Sequence, residues 1–178
     1  CLEDPVGSRL VNVLIGRWME DNKGGSDDAG ASSTVSPALE LSSDVVQEIM
    51  ALLTVLMRRA PDLLHVQGVR DYRRGLIRLP WSYLKDDTSP VRFSAYVMVC
   101  QFMSTMTCPE KIYLQVYTAM IKAWQPEGRQ QIHEALDLIL PLLPSKLHDP
   151  GAKVPMWIRW TKRSLIEDGH SLGNLVHI

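Results

Sequence analysis

Cysteine is scarce in this chain. Three occur in 178 residues, at Cys1, Cys100 and Cys108. The number is odd and the spacing matches no CxxC pair or zinc pattern, so a disulfide framework has no support. A reduced, intracellular compartment is the simpler expectation, with Cys100 and Cys108 as packing residues among apolar neighbours. An excess of one charge is missing too: 19 Lys and Arg face 20 Asp and Glu, for a net charge of −1. That balance argues against general affinity for nucleic-acid phosphates, while leaving room for a local patch. Long apolar runs are also absent. The longest uncharged stretch, Phe93 to Pro109, is broken by Ser94, Gln101, Ser104, Thr105 and Thr107. It falls short of the ~20 apolar residues that a membrane span needs and reads as a buried helix. The N-terminus has neither the basic nor the apolar region of a signal peptide. It starts on Cys rather than Met, and both ends read as cut from something longer.

No phosphate-binding GxxxxGK[ST], zinc-binding HExxH, nucleophile GxSxG or EF-hand pattern is present. The five histidines, at 65, 133, 148, 170 and 177, are scattered. The carboxylate pairs Asp27–Asp28, Asp86–Asp87 and Glu167–Asp168 fall in loops or at helix ends, as solvated turn residues do. These absences predict no catalytic residue, no cofactor and no metal.

What remains is a series of amphipathic helices. Ser8 to Asp21 places Leu10, Val13, Leu14 and Trp18 on one stripe. The Gly-, Ser- and Asp-rich stretch from about 21 to 42 is too poor in apolar residues to offset ordering entropy, and predicts a flexible loop. A helix beginning near Asp44, with that residue as cap, buries Val45, Ile49, Leu52, Leu53 and Leu56 and ends at Ala60, ahead of Pro61. The stretch 66–87 turns Val69, Tyr72, Leu76 and Ile77 inward, with Pro80 kinking or dividing it. Ser89 as cap and Pro90 at the first helical position open the next helix, burying Val91, Ala95, Met98, Val99, Phe102 and Met106.

A capping box of Thr107 and Glu110 predicts a further start, followed by Tyr113, Val116, Tyr117, Met120 and Trp124 at helical spacing. Pro126 opens another helix, with Ile132, Leu136, Ile139 and Leu143 inward. Pro141 and Pro144 then force a reversal. Residues 154–169 form a seventh helix, which Trp157 and Trp160 anchor and Gly169 stops. An eighth begins at Ser171.

No stretch alternates with period two, so the fold class is all-α. Taken in pairs, the helix starts recur at roughly 36 to 46 residues, close to the ~40–47 of HEAT and armadillo repeats. In such arrays a helix pair cannot cover its own apolar face and stacks on its neighbours. The expectation is an α-solenoid over residues 1–178, interrupted at about 21–42. An irregular helical globule is the competing reading, because the recurring segments share spacing but little sequence.

One charge cluster stands out: Arg70, Arg73, Arg74 and Arg78, with Arg58 and Arg59 nearby. Either it is a solvated face with internal carboxylate partners, or it is a surface for an acidic partner, since guanidinium pairs carboxylates bidentately.

From about Arg70 onward the sequence resembles the HEAT-repeat region of the transformation/transcription domain-associated protein (TRRAP) family. The resemblance rests on two blocks. One is Pro109, Lys111, Ile112, Gln115, Val116 and Tyr117. The other is Trp160-Thr161-Lys162, followed by Glu167 to His170 and Leu175 to Ile178. Residues 21–42 match nothing in that pattern. The resemblance implies a slice of a very large α-solenoid that ends in a kinase-like domain lacking catalytic residues. It implies a nuclear scaffold of histone acetyltransferase coactivator complexes, of the SAGA type and the histone-H4-directed type. Protein partners are expected, namely complex subunits and transcription activators, together with the chain's own neighbouring repeats; nucleic acid and membrane are not. A nuclear transport receptor, a kinase of the same superfamily and a small all-α enzyme are the alternatives.

Overall fold

A computed structural model describes residue 13 and residues 42–65, 73–123, 125–148 and 151–167. All regular elements among them are helical. In chain order they are α1 (Ser43–Arg59), α2 (Arg73–Tyr83), α3 (Ser89–Thr105), α4 (Glu110–Ala123), α5 (Arg129–Ile139), α6 (Leu143–Lys146) and α7 (Met156–Glu167). Short 3₁₀ turns at Pro61–His65 and Pro126–Gly128 join them.

The starts follow local chemistry, with shifts from the sequence expectation. Ser42 caps α1, its hydroxyl accepting from the Val45 N–H at 3.5 Å, while Asp44 lies inside the first turn. Both residue types accept well at a cap, so their order along the chain decides. Thr88, not Ser89, is the N-cap of α3. The α4 helix starts at Glu110, two residues beyond the start that the Thr107 capping box implies, with Ile112 N–H donating to the Pro109 carbonyl. The end of α1 at Ala60 is as expected, and α2 runs through a buried Pro80 without being divided.

At Pro141 the chain does not reverse. Leu140 keeps helical angles, Leu142 and Leu143 donate to carbonyls three residues back, and the backbone tightens into α6. Proline there removes one i→i−4 bond but tolerates the 3₁₀ pattern.

The centre of the structure is α3, with eleven of its 17 residues buried. One apolar cluster sets Val91, Ala95, Met98 and Phe102 against Val46, Met50, Leu53 and Met57 of α1 and Leu76 and Leu79 of α2. The other sets Phe93, Val97, Cys100 and Met103 against Tyr113, Val116 and Met120 of α4 and Ile132, Leu136 and Ile139 of α5. Alternate helices lie side by side, α1 on α3 and α3 on α5, while α4 packs on α7. This is the two-layer stack of helical hairpins expected of a HEAT-like array. Met98, Met103 and Met120 are wholly buried gap fillers, whereas Met106, expected on the buried stripe, is only half-buried at the C-cap of α3.

The buried stripe of α1 differs from the expected one. Val46, Met50, Leu53 and Met57 face the core, whereas Val45 and Leu52 are 44% and 43% exposed. Ile49 and Leu56 are only half-buried at its margin. Val13 is helical but 64% exposed rather than inward. The rest of the Ser8–Asp21 helix, the 21–42 loop up to Leu41, Val69, Tyr72, the Trp124 side chain, Gly169 and the helix from Ser171 lie outside the described residues.

Candidate interaction surface

Of the four arginines singled out in the sequence, Arg70 lies outside the described residues, and the other three occupy the first turns of α2. Gly75, Leu76, Leu79 and Pro80 take the buried side of that helix. Arg73 flanks it, and its Nε donates to the Leu64 carbonyl at the end of the preceding 3₁₀ turn. Arg74 and Arg78, one turn apart, are exposed on the opposite side. Among the described residues no carboxylate pairs with either. Lys85, in the turn after α2, is exposed as well. The sequence reading passed over it because it lies beyond the arginine run.

The nearby Arg58 is occupied. Its Nε donates to Gln101 Oε1 of α3 at 3.3 Å, and a terminal nitrogen reaches Glu134 Oε1 of α5 at 2.6 Å. The pair therefore bridges α1 and α5 across α3. Both side chains are more than two-fifths exposed, so solvent screens the attraction. A double-mutant cycle of Arg58→Ala and Glu134→Ala is expected to give a coupling of about 0.2–1 kcal/mol by denaturant titration. A larger value would mean that the bridge is more sheltered than its exposure implies.

The two tryptophans of α7 behave differently. Trp157 packs on the α3–α5 cluster, and the adjoining Thr161 hydroxyl meets Tyr117 Oη at 2.8 Å, docking α7 on α4. Trp160 does not anchor the helix. It is 38% exposed, with the Arg163 guanidinium 5.3 Å from its ring and Arg163 paired to Glu167 at 2.6 Å. Three-residue spacing put both rings near one face, but the register of α7 on α4 partly buries the first and leaves the second exposed.

Among the described residues the titratable side chains form no catalytic arrangement. The Cys100 thiol is fully buried, 3.6 Å from Met120 Sδ, and burial pushes its pKa far up. Burial also raises that of Cys108, with Lys146 acting weakly in the other direction. Both shifts disfavour the thiolate, the reactive form. Tyr113 is raised mainly by burial, and its hydroxyl donates to the Met103 carbonyl at 3.2 Å. Asp86 accepts from the Thr88 N–H at 2.7 Å, as a turn residue does. Among the described residues no three His, Cys, Asp or Glu side chains converge to hold a metal ion, and no helix is long and apolar enough to cross a membrane. An open depression of about 850 Å³ on the outer side of α5, beside Glu127, Gln130, His133 and Asp137, is polar and unenclosed.

The stacked hairpins agree with the comparison to known families. Residues 27–178 match the Tra1 HEAT repeat ring region. The chain belongs to the Tra1 family. Its relatives include the probable transcription-associated protein 1 of Dictyostelium discoideum, 34% identical over 74% of this chain. The SAGA complex/NuA4 acetyltransferase complex subunit TRA1 of Saccharomyces cerevisiae is 24% identical over 73%. The human transformation/transcription domain-associated protein is 26% identical over 73%. The chain spans only 3% of the length of each of these Tra1-family proteins. No solved structure matches it significantly. Tra1-family membership and the two-layer helical stack together give the fold: an all-α solenoid of HEAT-like hairpins.

Proposed function

We propose that this segment is a non-catalytic scaffold piece of a nuclear transcription coactivator subunit, of the kind named in yeast as belonging to SAGA and NuA4 acetyltransferase complexes. Supporting it is the match to the Tra1 ring region over residues 27–178, most of the chain. The apolar side chains left exposed on its first and last described helices, such as Leu52 on α1 and Leu165 and Ile166 on α7, add a physical reason. These faces suit neighbouring repeats of the same full-length chain, with which residues 1–178 form one solenoid segment carrying a Gly-, Ser- and Asp-rich loop at about 21–42. Partners are other complex subunits and transcription activators, and neither nucleic acid nor membrane is required. The outward stripe of Arg74 and Arg78, flanked by Arg73 and with Arg70 close by in sequence, is the surface proposed for acidic partners.

The full-length chain should co-purify with acetyltransferase subunits from nuclear extract; failure to do so would remove the coactivator reading. Within that chain, Arg74→Glu with Arg78→Glu should weaken binding of an acidic activator peptide about tenfold, chiefly through slower association, and leave complex assembly intact. Unchanged binding of acidic peptides would remove the arginine surface alone.

A further inference from the structure

The sequence Ser89-Pro90-Val91-Arg92 opens α3. Serine followed by proline, with a basic residue three positions on, is the order that proline-directed protein kinases read. The surroundings make that motif more than a local pattern. The α3 helix has no acidic residue in its first turn, and the Thr88 side chain caps none of its amides. Helix geometry leaves the first amides without intrahelical partners, and the dipole adds partial positive charge there. Arg92 then places a guanidinium beside the same end.

Among the described residues no carboxylate pairs with that guanidinium. One terminal nitrogen donates to the Asp86 carbonyl at 2.9 Å. The other reaches Ser89 Oγ at 3.3 Å and Gln125 Oε1 at 3.2 Å. Its Nε is buried without a hydrogen-bond partner, and the group lies 5.4 Å from the Phe93 ring centroid. The Ser89 hydroxyl donates to the exposed Gln125 oxygen at 3.2 Å. Serine, arginine and helix terminus thus meet at one place on the surface, with the Asp86 carboxylate held on the Thr88 N–H beside them.

We propose that Ser89 is a phosphorylation site for a proline-directed protein kinase, and that Arg92 and the α3 N-terminus receive the phosphoryl group. In the transfer the Ser89 oxygen forms a bond to the γ-phosphorus of ATP. The bond from that phosphorus to the bridging oxygen breaks, ADP leaves, and the serine proton passes to the kinase's base. Thr88 is already extended, so the kinase needs to open only the first helical residues, Ser89 and Pro90. The product carries about −1.5 to −2 charge and three acceptor oxygens. These accept from Arg92 and the first-turn amides in charge-assisted bonds. Esterification removes the Ser89 donor from Gln125, so the tie between the start of α3 and the α4–α5 turn is exchanged for one within α3. The modification would stiffen the start of α3 and remove one polar tie to the α4–α5 turn, whose apolar contact through Phe93 and Gly128 stays in place.

The test uses the full-length chain, stripped of phosphate by phosphatase and then incubated with a cyclin-dependent kinase and ATP. Mass spectrometry should find phosphate on Ser89, and Ser89→Ala should lack that phosphopeptide. No phosphate on Ser89 of the folded chain, when a peptide of residues 84–98 is modified in parallel, overturns the site. Hydrogen exchange over residues 89–95 should slow about tenfold on phosphorylation, the size of one charge-assisted bond. An Arg92→Lys chain, which keeps the basic residue for the kinase but not the planar fork, should retain phosphate with clearly less slowing. Exchange that is unchanged or faster in the native-sequence chain overturns the receiving role of Arg92.

Discussion

Replacing Gly128 by alanine is expected to cost about 3 kcal/mol, read as lost hydrogen-exchange protection in α3 and α5. A Cβ at that position meets Cδ2, Cε2 and Cζ of Phe93 at 2.3–2.4 Å, far inside van der Waals contact. The ring cannot retreat. It is 1% exposed and packed in the cluster that joins α3, α4 and α5. The reason for glycine here is therefore space and not backbone angle, since the residue has φ −99° and ψ 8°, open to any side chain. The end of the 3₁₀ turn at Pro126–Gly128 lies directly on the aromatic side chain of α3, and that contact brings α5 into register. The control is Phe93→Leu, a smaller side chain that frees room at the contact. Alone it should cost about 1–2 kcal/mol through lost packing. In the same chain as Gly128→Ala it should cost clearly less than the sum of the two. Strict additivity would show that the ring and Gly128 do not compete for one volume.

Much of this fold was legible in the sequence, and the positions that were not share a physical cause. The stripes of α4 and α5 were read correctly where a helix has a single apolar face, as with Tyr113, Val116, Tyr117 and Met120, and with Ile132, Leu136 and Ile139. In α1 two stripes compete. Val45, Ile49, Leu52 and Leu56 have the same spacing as Val46, Met50, Leu53 and Met57, offset by one residue, or about 100° around the helix. Periodicity ranks them equally, and only the partner helix decides which is buried. The same limit explains Trp160, whose spacing from Trp157 cannot reveal the register of α7 on α4. The near-complete burial of α3 was legible as a long uncharged run. Its central place between α1, α2, α4 and α5 was not, because contacts between separate hairpins leave no local pattern. For the arginines, sequence gave the cluster and structure sorted it. Arg58 and Arg73 are occupied within the fold, and Arg74 and Arg78 face outward.

The unselected stripe of α1 leads to the second large effect. In the isolated chain of 178 residues, Leu52→Asp is expected to change stability by no more than about 0.5 kcal/mol, because the side chain is already 43% exposed. In the full-length chain the same change should cost about 2–4 kcal/mol, read as lost exchange protection in α1. The contrast follows from what an array does with a helix that is apolar on two sides. One side, through Met50 and Leu53, is taken by α3. The other, with Val45, Leu52 and Val55, is left for a neighbouring repeat that only the full-length chain supplies, and a carboxylate buried there lacks both water and a partner. At the opposite end, Ile158, Leu165 and Ile166 of α7 are 39%, 43% and 69% exposed. With both end faces open, the isolated chain should sediment as concentration-dependent assemblies. Leu52→Asp together with Ile166→Asp should shift it toward monomer. Equal tolerance of Leu52→Asp in the isolated and full-length chains would mean that no repeat covers α1, and the array would have to end at this hairpin. A monodisperse isolated chain would say the same of both faces, since apolar residues at helical spacing need a second helix to exclude water from them.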